Sequence, residues 1–263
     1  MFEDVKLGFI GFGNMAGAIA DGLVRQKALR PEQIYVCAKN WEKLCRTAEA
    51  KGYIPCRSAA AVAEQAAILV LAVKPYLIEE VLVPITSLLP GKILLSVAAG
   101  WPFEKLEAVL PAGVHHLSTM PNTPVSVGEG IILLEEEHSL SESEYRLVEG
   151  LLSTVGVVQS LPSRLMGIAG TVSGCGPAFA SMFIEALGDA GVMYGLPREL
   201  AYRLASQMVA GTGKLQQETG THPGAMKDAV CSPGGTTIVG VAALERGGLR
   251  SAVIDAVDAI QKK

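Results

Sequence analysis

Val5-Lys6-Leu7-Gly8-Phe9-Ile10-Gly11-Phe12-Gly13-Asn14-Met15-Ala16 decides the fold: an apolar strand runs straight into two glycines and, three positions on, a small residue. This is the G-x-G-x-x-G/A turn that seats a dinucleotide pyrophosphate on a helix N-terminus. Gly11 permits the tight turn, Gly13 lets the backbone approach the phosphates, and Ala16 lets helix and strand pack closely. A lone glycine fingerprint is a weak signal. Its place after a strand and before the amphipathic stretch Met15–Gln26 gives it weight.

Outward from that turn, strands and helices alternate. Lys6–Ile10 reads as strand with helix to about Gln26, and Gln33–Ala38 as a second strand with helix from Trp41. Ala67–Val73 and Lys92–Val97 are apolar runs, as expected of parallel strands covered on both faces. Helices are expected at Leu77–Ile85 and Phe103–Leu110, and further strands at His115–Met120 and Gly130–Glu135. This rhythm predicts an α/β fold, a Rossmann-like doubly wound sheet with ligand crevices outside the C-terminal strand ends. Past Pro162 the strand-like runs fade. Pro177–Tyr194, Arg198–Glu218, Pro223–Val230, Thr236–Glu245 and Arg250–Gln261 read as helices separated by glycine or proline. The expected division is a dinucleotide-binding domain over residues 1–161 and an all-helical domain over 162–263.

Composition narrows the function. A 263-residue chain that is 49% hydrophobic suits one large or two modest folded domains. A formal net charge of -4, without a dense Lys/Arg block, gives no reason to expect a nucleic-acid partner. The five cysteines form no C-x-x-C pair and are odd in number, as expected of reduced thiols in a cytoplasm. Glu3, Asp4 and Lys6 precede an apolar run too short for a signal peptide. The uncharged stretch Met166–Ile184 is interrupted by glycines, Pro177 and hydroxyl residues, so a buried segment is expected rather than a membrane span. A helical half this short and apolar would struggle to bury all its own faces, so a homodimer or larger homo-oligomer is expected, the alternative being a compact monomeric bundle.

The second strand ends Cys37-Ala38-Lys39-Asn40, where an NAD enzyme usually carries an acid about 20 residues past the glycines. Lys39 favours a phosphate there, so NADPH is the expected cofactor, with NADH possible; the alternative is that Lys39 is a solvated loop charge. Three more strand ends converge on the same crevice: Ala72-Val73-Lys74-Pro75, then Ala98-Ala99-Gly100, then Met120-Pro121-Asn122-Thr123-Pro124 with an amide between prolines. Other motifs fail. Gly213-Lys214 lacks the hydroxyl and first glycine of a P-loop, the four histidines make no zinc pattern with the cysteines, and no G-x-S-x-G elbow occurs, so no metal site is expected. Cys231-Ser232-Pro233-Gly234-Gly235-Thr236-Thr237 precedes a helix, and glycines there expose N–H groups that suit a small carboxylate. On spacing alone, a simple Ser/Gly helix cap accounts for it as well.

Together these stretches resemble the pyrroline-5-carboxylate reductases. The matching pieces are Gly8–Ala16, Ala72–Pro75, Ala98–Gly100, Met120–Pro124, Ser173–Phe179 and Ser232–Glu245, in the family's order. Ser232–Thr237 with its following helix is the most specific, and the first glycine turn the least. Cys175 departs from the family's S-G-S-G-P-A pattern; it is a weaker hydrogen-bonding group than serine. The resemblance implies NAD(P)H-dependent reduction of (S)-1-pyrroline-5-carboxylate to L-proline, the last step of proline biosynthesis. It also implies a helical domain that dimerises and an active site between the two domains, completed by a neighbouring subunit. A protonated imine is already electrophilic, so positioning outweighs general acid catalysis. Thr237 is then assigned to the ring nitrogen, Ser232 and the backbone of Gly234, Gly235 and Thr236 to the carboxylate, and Asn122 to positioning nicotinamide or substrate. Gly11, Gly13, Asn14, Met15, Ala16, Lys39, Asn40, Ala72–Pro75 and Ala98–Gly100 fall to the cofactor.

Two other readings share the two-domain plan. A β-hydroxyacid dehydrogenase usually carries a lysine early in its second domain, and Gly167–Glu185 contains none. A dinucleotide-binding regulatory protein that has lost catalysis finds some support in Cys175.

Overall fold

The computed structural model describes residues 2–263, which form two compact units, residues 2–174 and 175–263. The first unit is built around one eight-stranded sheet of order β3-β2-β1-β4-β5-β6-β7-β8. Its elements run β1 (Leu7–Ile10), α1 (Asn14–Arg25), β2 (Ile34–Cys37), α2 (Trp41–Lys51), β3 (Ile54–Pro55), α3 (Ala59–Gln65) and β4 (Ile68–Leu71). They continue with α4 (Ile78–Leu82), β5 (Ile93–Ser96), α5 (Phe103–Glu107), β6 (His115–Pro121), β7 (Gly130–Glu135), α6 (Glu142–Ser153), β8 (Gly156–Leu161) and α7 (Ser163–Gly170).

β1, β4 and β5 are buried along their whole length, which is why their sequences are apolar at every position rather than at alternate ones. Two hydrophobic layers sandwich the sheet. One gathers Phe9, Leu23, Val36, Leu117 and Leu134, the other Ile10, Leu69, Leu71, Leu94 and Leu106. The six strands β1 to β6 are parallel, so the chain leaves each of them at the same sheet edge. The doubly wound plan holds as far as β6. Only residues 122–129 join β6 to β7, too few for a parallel crossover, and β7 accordingly turns back antiparallel.

Several elements differ from the sequence reading for identifiable reasons. The helix expected at Leu77–Ile85 is a five-residue α4 flanked by tighter 3₁₀ turns, because Pro75 and Pro84 remove donors on both sides. Phe103–Leu110 shortens to α5. β3, α3, α6, β8 and α7 were not expected. α6 is announced by a capping box in which Ser141 Oγ accepts from Glu144 N–H at 3.4 Å and Ser141 N–H donates back to Glu144 Oε2 at 2.7 Å.

The second unit is wholly helical: α8 (Gly176–Met193), α9 (Arg198–Thr219), α10 (Pro223–Ala229), α11 (Thr236–Arg246) and α12 (Leu249–Gln261). Its helix boundaries follow the sequence reading within about one residue at most ends, because Pro177, Pro197 and Pro223 open helices and Gly220 closes one. The expectation that Met166–Ile184 is buried is not met. The helical run Ser163–Met193 has the length and hydropathy of a membrane span, yet only 17% of its most apolar window is buried. Val172 and Met182 are exposed, as are Val239, Val253 and Ile254 further on. Neither α11 nor α12 has a single buried residue, so a lone chain cannot cover this unit's apolar side chains.

Candidate active site

The parallel strands bring the expected cofactor residues to one edge of the first unit. Gly11 leaves β1 at φ +90°, and a methyl group there would stand 2.7 Å from the Ala72 carbonyl oxygen, so only glycine fits. Gly13 is the N-cap of α1 and has open space beyond it, with no atom within 4 Å of where a Cβ would stand. No side chain caps α1 and no acid sits in its first turn, which leaves its N–H groups free for an anion. Ala16 is fully buried against the sheet, as its small size allows. The open cradle beyond Gly13 fits a pyrophosphate.

At the tip of β2, Lys39 is exposed and Asn40 caps α2, its Oδ1 accepting from Lys43 N–H at 3.0 Å. Asn14, Asn40 and Lys43 line a cavity of about 560 Å³ together with Gly13. Two cations here were not singled out from sequence. Lys43 follows from the helix turn after Asn40. Arg57 stacks its guanidinium 3.9 Å above the Trp41 ring, just past β3. β3 has only two residues, too short to be recognised, so nothing in the sequence placed Arg57 beside β2.

The remaining loops line up along the same edge. Pro75 opens the turn after β4, Lys74 is exposed, and Ala98–Gly100 follow β5. Asn122 follows β6 and is 5% exposed. Its amide is engaged at both ends: Nδ2 donates to the Ser173 carbonyl at 2.9 Å, and Oδ1 accepts from Ile131 N–H at 2.9 Å. The Ser173 carbonyl is open to that bond because Thr171–Cys175 forms a π-helical turn and Pro177, four residues on, has no N–H to offer. Asn122 thus ties the β6 loop to the Ser173 main chain, which makes it a positioning residue.

One acid was missed. Glu135 ends β7, is 1% exposed, and accepts from Phe103 N–H through Oε2 at 2.7 Å. It was read only as the last residue of an apolar strand. It lines a cavity of about 210 Å³ with Ala98, Gly100 and Met120.

In the second unit, Ser232–Thr237 forms a tight turn into α11. Gly234 adopts φ +68°, and Gly235 N–H donates to the Ser232 carbonyl at 3.0 Å. Like α1, α11 has no side-chain cap and no acid in its first turn. Thr236 and Thr237 are its first two residues and are exposed. Such an end presents main-chain donors to a carboxylate and a hydroxyl beside it. Among the described residues no group of three or more His, Cys, Asp or Glu side chains could hold a metal ion, and all five cysteines are free.

Comparisons with known proteins match both ends of the chain. Residues 163–263 match the family model described as pyrroline-5-carboxylate reductase dimerisation, and residues 6–100 match NADP oxidoreductase coenzyme F420-dependent. The chain is 46% identical over 259 residues to the pyrroline-5-carboxylate reductase of Treponema pallidum, covering 97% of this chain and 98% of that protein. It is 39% identical to that of Escherichia coli, covering 98% and 96%. Among solved structures, it is similar to Plasmodium falciparum pyrroline carboxylate reductase with NADP bound, with a TM-score of 0.88 and 32% identity over 98% of this chain and 96% of that one.

Proposed function

The chain belongs to the pyrroline-5-carboxylate reductase family, and from that premise we propose how its residues reduce (S)-1-pyrroline-5-carboxylate to L-proline. The observation that carries the reading is a pair of uncapped, acid-free helix N-termini, one at α1 behind Gly11 and Gly13, the other at α11 behind Gly234 and Gly235. The first suits a pyrophosphate, the second a small carboxylate. When bound, NADPH supplies a hydride to the imine carbon. The residues of the chain do the rest.

Gly234, Gly235 and Thr236 hold the substrate carboxylate through main-chain N–H groups, with Ser232 in the same turn. Thr237 hydrogen-bonds the ring nitrogen and so fixes which carbon accepts the hydride. Asn122 sets the loop that faces the nicotinamide through its two main-chain bonds. No strong general acid is required, because the iminium is electrophilic before it binds. Cofactor choice falls to the β2 tip, where Lys39, joined by Arg57, attracts a 2′-phosphate. NADPH is preferred, and NADH remains usable. The enzyme works as a homodimer or larger homo-oligomer in the cytoplasm. The absence of lysine from Gly167–Glu185 disfavours the hydroxyacid dehydrogenase reading.

NADPH oxidation measured with pyrroline-5-carboxylate, other cyclic imines and 2-hydroxyacids tests the proposal. Pyrroline-5-carboxylate is expected to give the highest kcat/KM, with equimolar proline formed. A preference for hydroxyacids, or cofactor binding without turnover of any substrate, would overturn it.

A further inference from the structure

We propose that Glu135 binds the nicotinamide end of the cofactor, its unpartnered carboxyl oxygen accepting a hydrogen bond from the carboxamide NH2. The inference deepens the cofactor reading above and rests on it. Glu135 is 1% exposed and divides its two oxygens unequally. Oε2 takes the Phe103 N–H at 2.7 Å. Oε1 is fully buried with no hydrogen-bond partner among the described residues. A buried acceptor left without a donor is costly, so such an atom points to a partner that arrives with a ligand.

The surroundings select the donor. Glu135 lines a cavity of about 210 Å³ whose walls include Ala98 and Gly100 beyond β5, Ser118, Thr119 and Met120 on β6, and Met166 on α7. The two buried hydroxyls there are already committed: Ser118 Oγ–H donates to the Trp101 carbonyl at 2.8 Å and Thr119 Oγ1–H to the Ser96 carbonyl at 3.0 Å. Neither can serve Oε1 without giving up its own bond. The sheet order then identifies the ligand group. A doubly wound sheet has two mononucleotide halves, here β1-β2-β3 and β4-β5-β6, meeting at the switch point between β1 and β4. With the pyrophosphate at Gly11–Gly13 and the phosphorylated ribose at Lys39, the nicotinamide half extends toward the β5 and β6 tips. In NADPH the ring is uncharged and its faces are apolar, matching Met120 and Met166, and the carboxamide NH2 is its only strong donor.

Replacing that NH2 with a methyl group isolates the bond. Dissociation constants for NADP⁺, its 3-acetylpyridine analogue and 2′-phospho-ADP-ribose would be measured calorimetrically on the full-length protein in its native assembly, for wild type, Glu135→Gln and Glu135→Ala. Wild type is expected to favour NADP⁺ over the acetylpyridine analogue by about tenfold, as for a hydrogen bond to a charged group. Both variants should bring that ratio to about one while leaving 2′-phospho-ADP-ribose binding unchanged. Equal affinity of the wild type for both dinucleotides would overturn the inference, as would a wild-type ratio retained in both variants. A purely structural Glu135, capping Phe103, would move all three ligands together and leave the ratio intact. If 2′-phospho-ADP-ribose binds while the ratio fails, the cofactor reading stands without this contact. If none of the three binds the wild type, the cofactor reading and this inference fall together.

Discussion

Thr237 stands at the second position of α11, exposed, in a helix end that no side chain caps. A hydroxyl beside free main-chain donors can hold a ring nitrogen while the carboxylate is fixed by the backbone. If that bond tightens as charge leaves the imine, Thr237→Val is expected to lower kcat by about 10- to 100-fold with a smaller change in KM; full turnover would contradict the role. The role proposed for Lys39 concerns a different group. Lys39→Glu should raise the KM for NADPH far more than that for NADH, since a carboxylate repels a 2′-phosphate and not a hydroxyl. Equal changes in both would remove Lys39 from the site. The turn that carries Thr237 and the strand end that carries Lys39 were legible because Gly-rich turns and strand ends are read locally. Glu135 and Arg57 were not, since their significance comes from burial and from a two-residue strand that only pairing reveals.

Among the elements, α6 shows how a local signal and an electrostatic one combine. Burial opposes ionisation of Glu144, but the Ser141 hydroxyl, the Ser141 N–H and His115 outweigh it and hold the carboxyl below the ordinary glutamate range. The folded state therefore gains from the ionised form above the unfolded pKa of about 4.3 and loses that gain as pH falls through the lower folded value. Glu144→Gln is expected to cost about 1 kcal/mol near neutral pH, read by urea denaturation. The difference should shrink at about pH 3; a cost that stays constant to that pH would contradict the assignment. α6 was in fact legible from Ser141-x-x-Glu144 and the stripe Val148, Leu151 and Leu152, all buried, although no helix was predicted there. β7 was read correctly as a strand, but its reversal was not. That depends on the length of the connection after Pro121 rather than on the strand's own residues. The π turn at Thr171–Cys175 is likewise invisible to periodicity, and Pro177 is its only trace in the sequence.

At the scale of the whole molecule, the helical unit leaves too much apolar surface uncovered for a lone chain. Phe179, Phe183, Leu244 and Val253 line an open groove of about 800 Å³, and Ile254 and Val239 are two-thirds exposed. Contiguous apolar surface of this kind marks an interface, and a closed symmetric pair buries it on both copies. Light scattering after size exclusion is expected to give a dimer or larger assembly, with Val253→Glu shifting it toward monomer. A monomeric wild type would contradict this. The sequence predicted the second copy from composition alone but also predicted burial of Met166–Ile184, a burial that one chain by itself does not provide.

A crystal structure of the assembled protein with NADP⁺ and L-proline bears on the central claim most directly. The predicted result has the pyrophosphate on the main-chain N–H groups at the start of α1 and the proline carboxylate on those of Gly234, Gly235 and Thr236, with Thr237 on the ring nitrogen. Proline bound away from that turn, or a dinucleotide seated anywhere other than Gly11–Ala16, would contradict it.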